Sequence, residues 1–147
     1  MFEGEHPARR ASLLSREYVQ TQNREGWLGL WSEDAVIEDP IGVSYIDPTG
    51  EGHRGPAARA AFYDSFIAPA SISIEIHQSY AAGLECANHI TITILLPGAD
   101  GKKVQQLVHG VFTYHCDDAG KLTAMRGYWD TEDPINAMTE IEDGAAD

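Results

Sequence analysis

Two adjacent carboxylates stand at the end of an apolar strand, in Ala35-Val36-Ile37-Glu38-Asp39-Pro40-Ile41-Gly42. With a side-chain period of two, Ala35, Ile37 and Asp39 share one face and Val36 and Glu38 the other, so one acid lies among residues that want burial. Asp39 is that acid. A carboxylate held against apolar surface resists ionisation and becomes a stronger base, which is what removing a proton beside a carbonyl requires. The same octet also fits a strand end whose acids simply reach solvent, the usual fate of acidic pairs.

A buried base needs elements to hold it, and these are legible on both sides of the octet. Pro7 suits a first helical turn, and Leu13, Leu14, Tyr18 and Val19 recur at helical spacing, which predicts a helix over 7–23. Arg24-Glu25-Gly26 is a link, and Trp27, Leu28, Leu30 and Trp31 predict a short second helix ending near 32–34. After Asp39, the stretch 40–55 carries Pro48, Gly50, Gly52 and Gly55 and is predicted to be a long loop. Pro56 opens a third helix over 57–68, with Ala58, Ala61, Phe62, Ser65 and Phe66 on one stripe and Pro69 as its stop.

From Ser71 the period changes to two. Ile72, Ile74 and Ile76 alternate with polar residues, and further strands are predicted over 84–96, 102–116 and 121–130. The fold class is α+β, with a curved antiparallel or mixed sheet wrapped around three N-terminal helices as a cone that leaves an apolar cavity. One domain is expected over 1–131. Residues 132–147 are acidic with few large apolar side chains and are expected to form a mostly disordered tail, with at most a short docked turn over 135–138.

Composition narrows the function classes. The formal net charge is -13, and the Lys and Arg clusters that grip nucleic acid or an anionic membrane are missing, so neither is expected as a partner. Two cysteines, Cys86 and Cys116, form no CxxC pair. With no secretory signal or membrane span in the sequence, a reduced cytoplasmic protein is expected. The six histidines form no HExxH motif, and no metal or other cofactor is expected. His53 and Arg54, in the long loop, are read as surface residues, the alternatives being that they hold the loop backbone or face a ligand.

The order of elements, with Trp31-Ser-Glu-Asp-Ala-Val-Ile-Glu-Asp-Pro-Ile-Gly42, Gly55-Pro-Ala-Ala-Arg-Ala-Ala-Phe-Tyr63 and Gly127-Tyr-Trp-Asp130, resembles the ketosteroid isomerases over residues 12–131. These belong to the nuclear transport factor 2 superfamily, alongside SnoaL-like polyketide cyclases. The resemblance implies that Asp39 is the general base that moves a double bond into conjugation with a ketone, and that Tyr18 donates a hydrogen bond to the enolate oxygen. Without a gap in the alignment, Ser15 takes that position instead. The family's second donor, an aspartate two residues before an aromatic-x-aromatic pair, corresponds here to Gly110 before Phe112 and Tyr114. His109 is adjacent but points to the other face.

The resemblance further implies an apolar slot for a steroid-like ligand, lined by Phe62, Phe66, Val108, Gly110, Phe112, Met125 and Trp129. It also implies a homodimer through the outer sheet face, where Thr91, Thr93, Leu107, Val111 and Thr113 make a mixed patch. Two alternatives stand beside the isomerase. One is a non-catalytic carrier of apolar polycyclic ligands, favoured by Gly110. The other is a polyketide cyclase or an epoxide hydrolase of the same fold, and the hydrolase is disfavoured because His89-Ile-Thr-Ile-Thr-Ile94 lacks the Arg-x-Asp its chemistry requires.

Overall fold

The computed structural model describes residues 6–141. Helix α1 spans Pro7–Gln20, and the His6 ring caps it by accepting from the Ala8 and Arg9 amides. Its buried stripe is made of Ala8, Ala11, Ser12, Ser15 and Val19, residues small enough to let the helix lie close on the sheet, where it packs on strands that arrive much later in the chain. It stops before the predicted residue 23 because Gln22 adopts a positive φ of 58°. The Gln22 side-chain NH₂ then donates to the carbonyls of Ile67 and Ala70 at 3.1 and 2.8 Å.

Helix α2, Arg24–Leu28, is capped by Asn23, whose side-chain oxygen accepts from the Gly26 amide. Trp31, which helical spacing assigned to this helix, instead opens strand β1, Trp31–Glu38, because the helix already ends at Gly29. Strand β2, His53–Arg54, pairs antiparallel with β1. Helix α3, Gly55–Phe62, continues as a π-helical turn over Tyr63–Ile67 in place of the straight helix to residue 68. The remaining strands are β3 Ser71–Ala82, β4 Glu85–Pro97, β5 Lys103–Cys116, β6 Leu122–Tyr128 and β7 Met138–Ile141.

The fold is α+β, as read from the sequence. The sheet runs β2-β1-β6-β5-β4-β3, with β7 also paired to β5. It is mixed, since β1 and β6 are parallel while the other pairs are antiparallel. Register shifts between Ile76 and Gln78 and between His115 and Cys116 bend the long strands, and the curved sheet cups the helices. Between them sits a core of Trp27, Phe62, Tyr63, Ile37, Phe112 and Leu122.

The segment after β6 departs from expectation. In place of a disordered tail from 132, Pro134–Asn136 forms a 3-10 turn and Met138–Ile141 a strand on β5, while residues 142–147 lie outside the described residues. Acidic composition concealed a docking residue. Asn136 is 3 % exposed; its side-chain oxygen accepts from the His109 amide at 2.9 Å and its NH₂ donates to the Asp130 carbonyl at 2.9 Å. Asn136→Ala strands the buried His109 amide without a partner and is expected to cost about 1–3 kcal/mol, readable as a lower midpoint in urea unfolding.

Candidate active site

Four features place the Asp39 carboxylate. Arg59, 3 % exposed on α3, donates to the carbonyls of Ala35 and Glu33 at 2.8 and 3.3 Å and so anchors β1. Parallel pairing of Glu38 with Arg126 brings the end of β1 beside β6, reinforced by an Arg126–Glu38 ion pair at 2.7 Å. Beyond the Asp39–Pro40 bond, which is cis, the Ile41 amide donates to the Gly127 carbonyl at 3.1 Å. Finally, the Trp129 indole N–H donates to Asp39 Oδ1 at 2.8 Å. The sequence showed Trp129 only as an apolar wall; its bond to the acid was not visible there.

Two glycines make this geometry possible. A Cβ on Gly127 would sit 2.7 Å from Phe112 Cε2 and 3.2 Å from Asp39 Oδ1, so only glycine lets ring and carboxylate converge there. A Cβ on Gly110 would run into the Tyr128 carbonyl oxygen and lie 2.9 Å from Trp129 Cβ. Gly110 is therefore not a cavity residue, contrary to its expected place in the slot. The backbone carrying Trp129 occupies that space, and an acid at 110 would displace it.

Asp39 faces an apolar cavity also lined by Phe62, Phe66, Val108, Phe112, Met125 and Trp129, the other slot residues expected from the sequence. The cavity-facing residues of β4 are Ile90, Ile92, Ile94 and Leu96, and among the described residues Asp39 is the one carboxylate in the lining. That arrangement lacks the paired acids an epoxide hydrolase needs. Burial raises the Asp39 carboxyl from 3.8 to about 6, against the opposing pull of the Trp129 hydrogen bond. The cavity volume is ≈ 150 Å³, below the roughly 300–1,000 Å³ that encloses a drug-sized ligand. A larger ligand therefore extends through the mouth, past Tyr45, Phe66 and Met138, which are 55, 36 and 48 % exposed.

The expected donor Tyr18 is not in the lining. It is half-buried at the margin of the core, its ring beside Gly26, whose Cβ would lie 3.0 Å from Tyr18 Cδ1. Ser15 lines the cavity instead, one helical turn before Val19, so the ungapped position is the one that faces Asp39's cavity. The Ser15 hydroxyl accepts from the Trp27 indole N–H at 3.1 Å and, among the described residues, donates to no partner. Tyr114 also lines the cavity, two residues beyond Phe112 on the same strand face. Burial, the nearby Asp39 charge and Cys86 all push its phenol upward, so it stays protonated. Alternation along β5 carries this signal, though the sequence shows Tyr114 only as the second half of an aromatic-x-aromatic pair. His53 packs its ring 4.9 Å from that of Phe62, centroid to centroid, behind the lining.

The chain matches the SnoaL-like domain family over residues 15–125. It is 28% identical over 106 residues to a steroid Delta-isomerase of Nocardioides simplex, covering 72% of this chain and 76% of that protein. Among solved structures, it is similar to Delta 5-3-ketosteroid isomerase from Mycobacterium sp., with 40% identity, a TM-score of 0.80 and coverage of 92% of this chain and 99% of the other. It is also similar to RV0760c from Mycobacterium tuberculosis in complex with estradiol-17beta-hemisuccinate, with 37% identity, a TM-score of 0.80 and coverage of 92% and 99%.

The raised carboxyl makes stability depend on pH with a definite sign. Because the folded-state value of about 6 exceeds the ordinary 3.8, the stabilisation from protonated Asp39 is complete below about 3.8 and is lost as pH rises through about 6. Asp39→Asn keeps the acceptor for Trp129 but has no charge to desolvate. It is expected to be more stable than wild type by about 1–3 kcal/mol near pH 8, with the gap closing toward pH 4, as read by thermal melts across that range.

Proposed function

This chain belongs to the SnoaL-like domain family, and from that premise we propose that it is a steroid Δ-isomerase acting on β,γ-unsaturated ketones with Asp39 as the base. The carrying observation is a single carboxylate, raised to about 6, in an apolar cavity and held by one indole hydrogen bond. Such a group is ionised at neutral pH yet basic enough to take a proton beside a ketone. The similar isomerases of Nocardioides simplex and Mycobacterium sp. support the reaction class.

In the proposed cycle, Asp39 removes a proton from the carbon between the ketone and the isolated double bond. The released electron pair forms a dienolate with its negative charge on the former ketone oxygen. Protonated Asp39 then returns the same proton to the far end of the dienolate, which leaves a conjugated enone and the original carboxylate. Nothing is gained or lost overall, so no cofactor is needed.

Charge on the enolate oxygen needs donors, and the hydroxyls of Ser15 and Tyr114 are suited to the task. By accepting from Trp27, the Ser15 oxygen is polarised so that its own O–H becomes a better donor. Tyr114, kept neutral by burial, retains its proton across the working range. This pair takes the role first assigned to Tyr18.

A non-catalytic carrier is the second reading, favoured by Gly110 standing where the resemblance places an acid donor. Absorbance of the conjugated enone separates the two. Asp39→Asn is expected to lower kcat by about 10²- to 10⁴-fold, and Ser15→Ala or Tyr114→Phe by about 10²-fold each, while Tyr18→Phe stays near wild type. In wild type, kcat/KM rises with pH through about 6 as Asp39 ionises. Tight steroid binding with no turnover, unaltered by Asp39→Asn, establishes the carrier instead.

A further inference from the structure

Strand β5 is covered on one edge by β4 over Lys103–His115, but on its other edge by two separate strands. β6 ends there with the pairing of Tyr128 to Val111, and β7 covers Lys103–Gln106. Residues 107–110 lie in the gap between them. Through this gap the chain carries Trp129 inward over Gly110 to Asp39. Trp129 is the first residue beyond β6, so no strand pairing fixes its backbone.

One side chain bridges the gap. Asn136 Oδ1 accepts from the His109 amide at 2.9 Å, and its NH₂ donates to the Asp130 carbonyl at 2.9 Å. His109 precedes Gly110 and Asp130 follows Trp129, so Asn136 ties together the neighbours of the close contact between Gly110 and Trp129. An amide N–H can only donate and a carbonyl can only accept, so these two bonds fix which way the Asn136 carboxamide faces. Asn136 is itself held in place. Its backbone carbonyl accepts from Gln106 Nε2 at 2.8 Å, and its backbone amide donates to the Asp133 carbonyl at 2.9 Å. It is buried but does not line the cavity.

Resting on the isomerase reading for the role of Asp39, we propose that Asn136 is a positioning residue: by clamping Asp130 to His109 it holds the Trp129 indole on the carboxylate that moves the proton. The effect on the base has a direction. Burial raises the Asp39 carboxyl and the indole hydrogen bond lowers it, so a slackened indole moves it upward from about 6. The other titratable groups around Asp39 are Tyr114, which stays protonated in the same cavity, Glu38, which turns outward onto Arg126, and His53, behind Phe62. Around Asn136, the Asp130 and Asp133 carboxylates accept from the Glu132 and Ile135 amides within the turn, and the His109 ring lies 3.5 Å from the Thr91 hydroxyl. A neutral replacement of Asn136 therefore alters no charge near the base.

The test follows the NMR carboxyl-carbon shift of Asp39 against pH, assigned by its loss in Asp39→Asn, and needs no substrate. Asn136→Ala is expected to raise the midpoint from about 6 by about 0.5–1 pH unit, and Trp129→Phe by at least as much. In Trp129→Phe, adding Asn136→Ala should move the midpoint no further, because the contact through which it acts is gone. Loss of stability in Asn136→Ala with the midpoint where wild type has it overturns the proposal, as does a shift that adds in full to that of Trp129→Phe. If Asn136→Ala does not fold, Asn136→Ser, too short to span both partners, carries the same expectations. The titration and the enone absorbance are independent, so the two readings fail separately. A raised midpoint without turnover of a β,γ-unsaturated ketone sinks the isomerase and leaves the clamp, whereas turnover with an unmoved midpoint sinks the clamp alone.

Discussion

The hydrogen bond from the Trp129 indole to Asp39 is the contact on which the site depends. Burial pushes the carboxyl up, the indole hydrogen bond pulls it back, and the balance is about 6. To make this bond, the chain leaving β6 must turn inward across β5. That passage is open only because residue 110 has no side chain, and the carboxylate reaches its place only because residue 127 has none. The glycine that removes one donor from the family pattern is the same glycine that lets another reach the base.

The rest of the cavity is arranged around that pair by packing. The aromatic cluster of Trp27, Phe62 and Tyr63 fills the space between α2 and α3, with Trp27 and Phe62 stacked at 6.3 Å between centroids and Tyr63 tilted against Trp27 at 5.4 Å. This rigid floor serves chemistry as well, since Trp27 also spends its indole N–H on Ser15. Two tryptophans thus each hold one polar group of a mainly apolar chamber, at positions with few rotamers to lose. The chamber is divided into a buried end with Asp39, Ser15 and Tyr114 and a mouth formed by the 40–52 loop, the π-helical turn and β7.

Most of the fold was legible because its signals are local. Alternation from Ser71 onward and over 84–96 and 102–116 marked the long strands to within a residue or so, Pro7 and Pro56 marked helix starts, and the acid-acid-proline block marked the candidate site. What escaped depended on partners distant in sequence. Trp31 had a helical neighbourhood but a strand partner in Leu122. Tyr18 and Ser15 lie within one turn of each other, and only the docking of α1 on the sheet decides which faces the cavity. Gln106 and Asn136 are thirty residues apart by number and meet because β7 folds back on β5; an acidic tail gives no hint of that. A loop position leaves His53 open to a surface, backbone-holding or ligand-facing role, and only the docking of β2 beside α3 brings its ring onto Phe62.

The return of the chain along β5 has a consequence for solution behaviour. β6 covers β5 only over Val111–Cys116, and β7 covers Lys103–Gln106 on the same side. Without β7, that half of β5 would present a row of unpaired amides and carbonyls beside Val104 and Leu107, the kind of open edge onto which another molecule's strand can be added. The four residues of β7 pair that half of β5 and place Glu140 along it. In doing so, the C-terminal segment replaces a long open edge with a four-residue one that bears Glu140, the kind of edge that is poor at recruiting another molecule's strand.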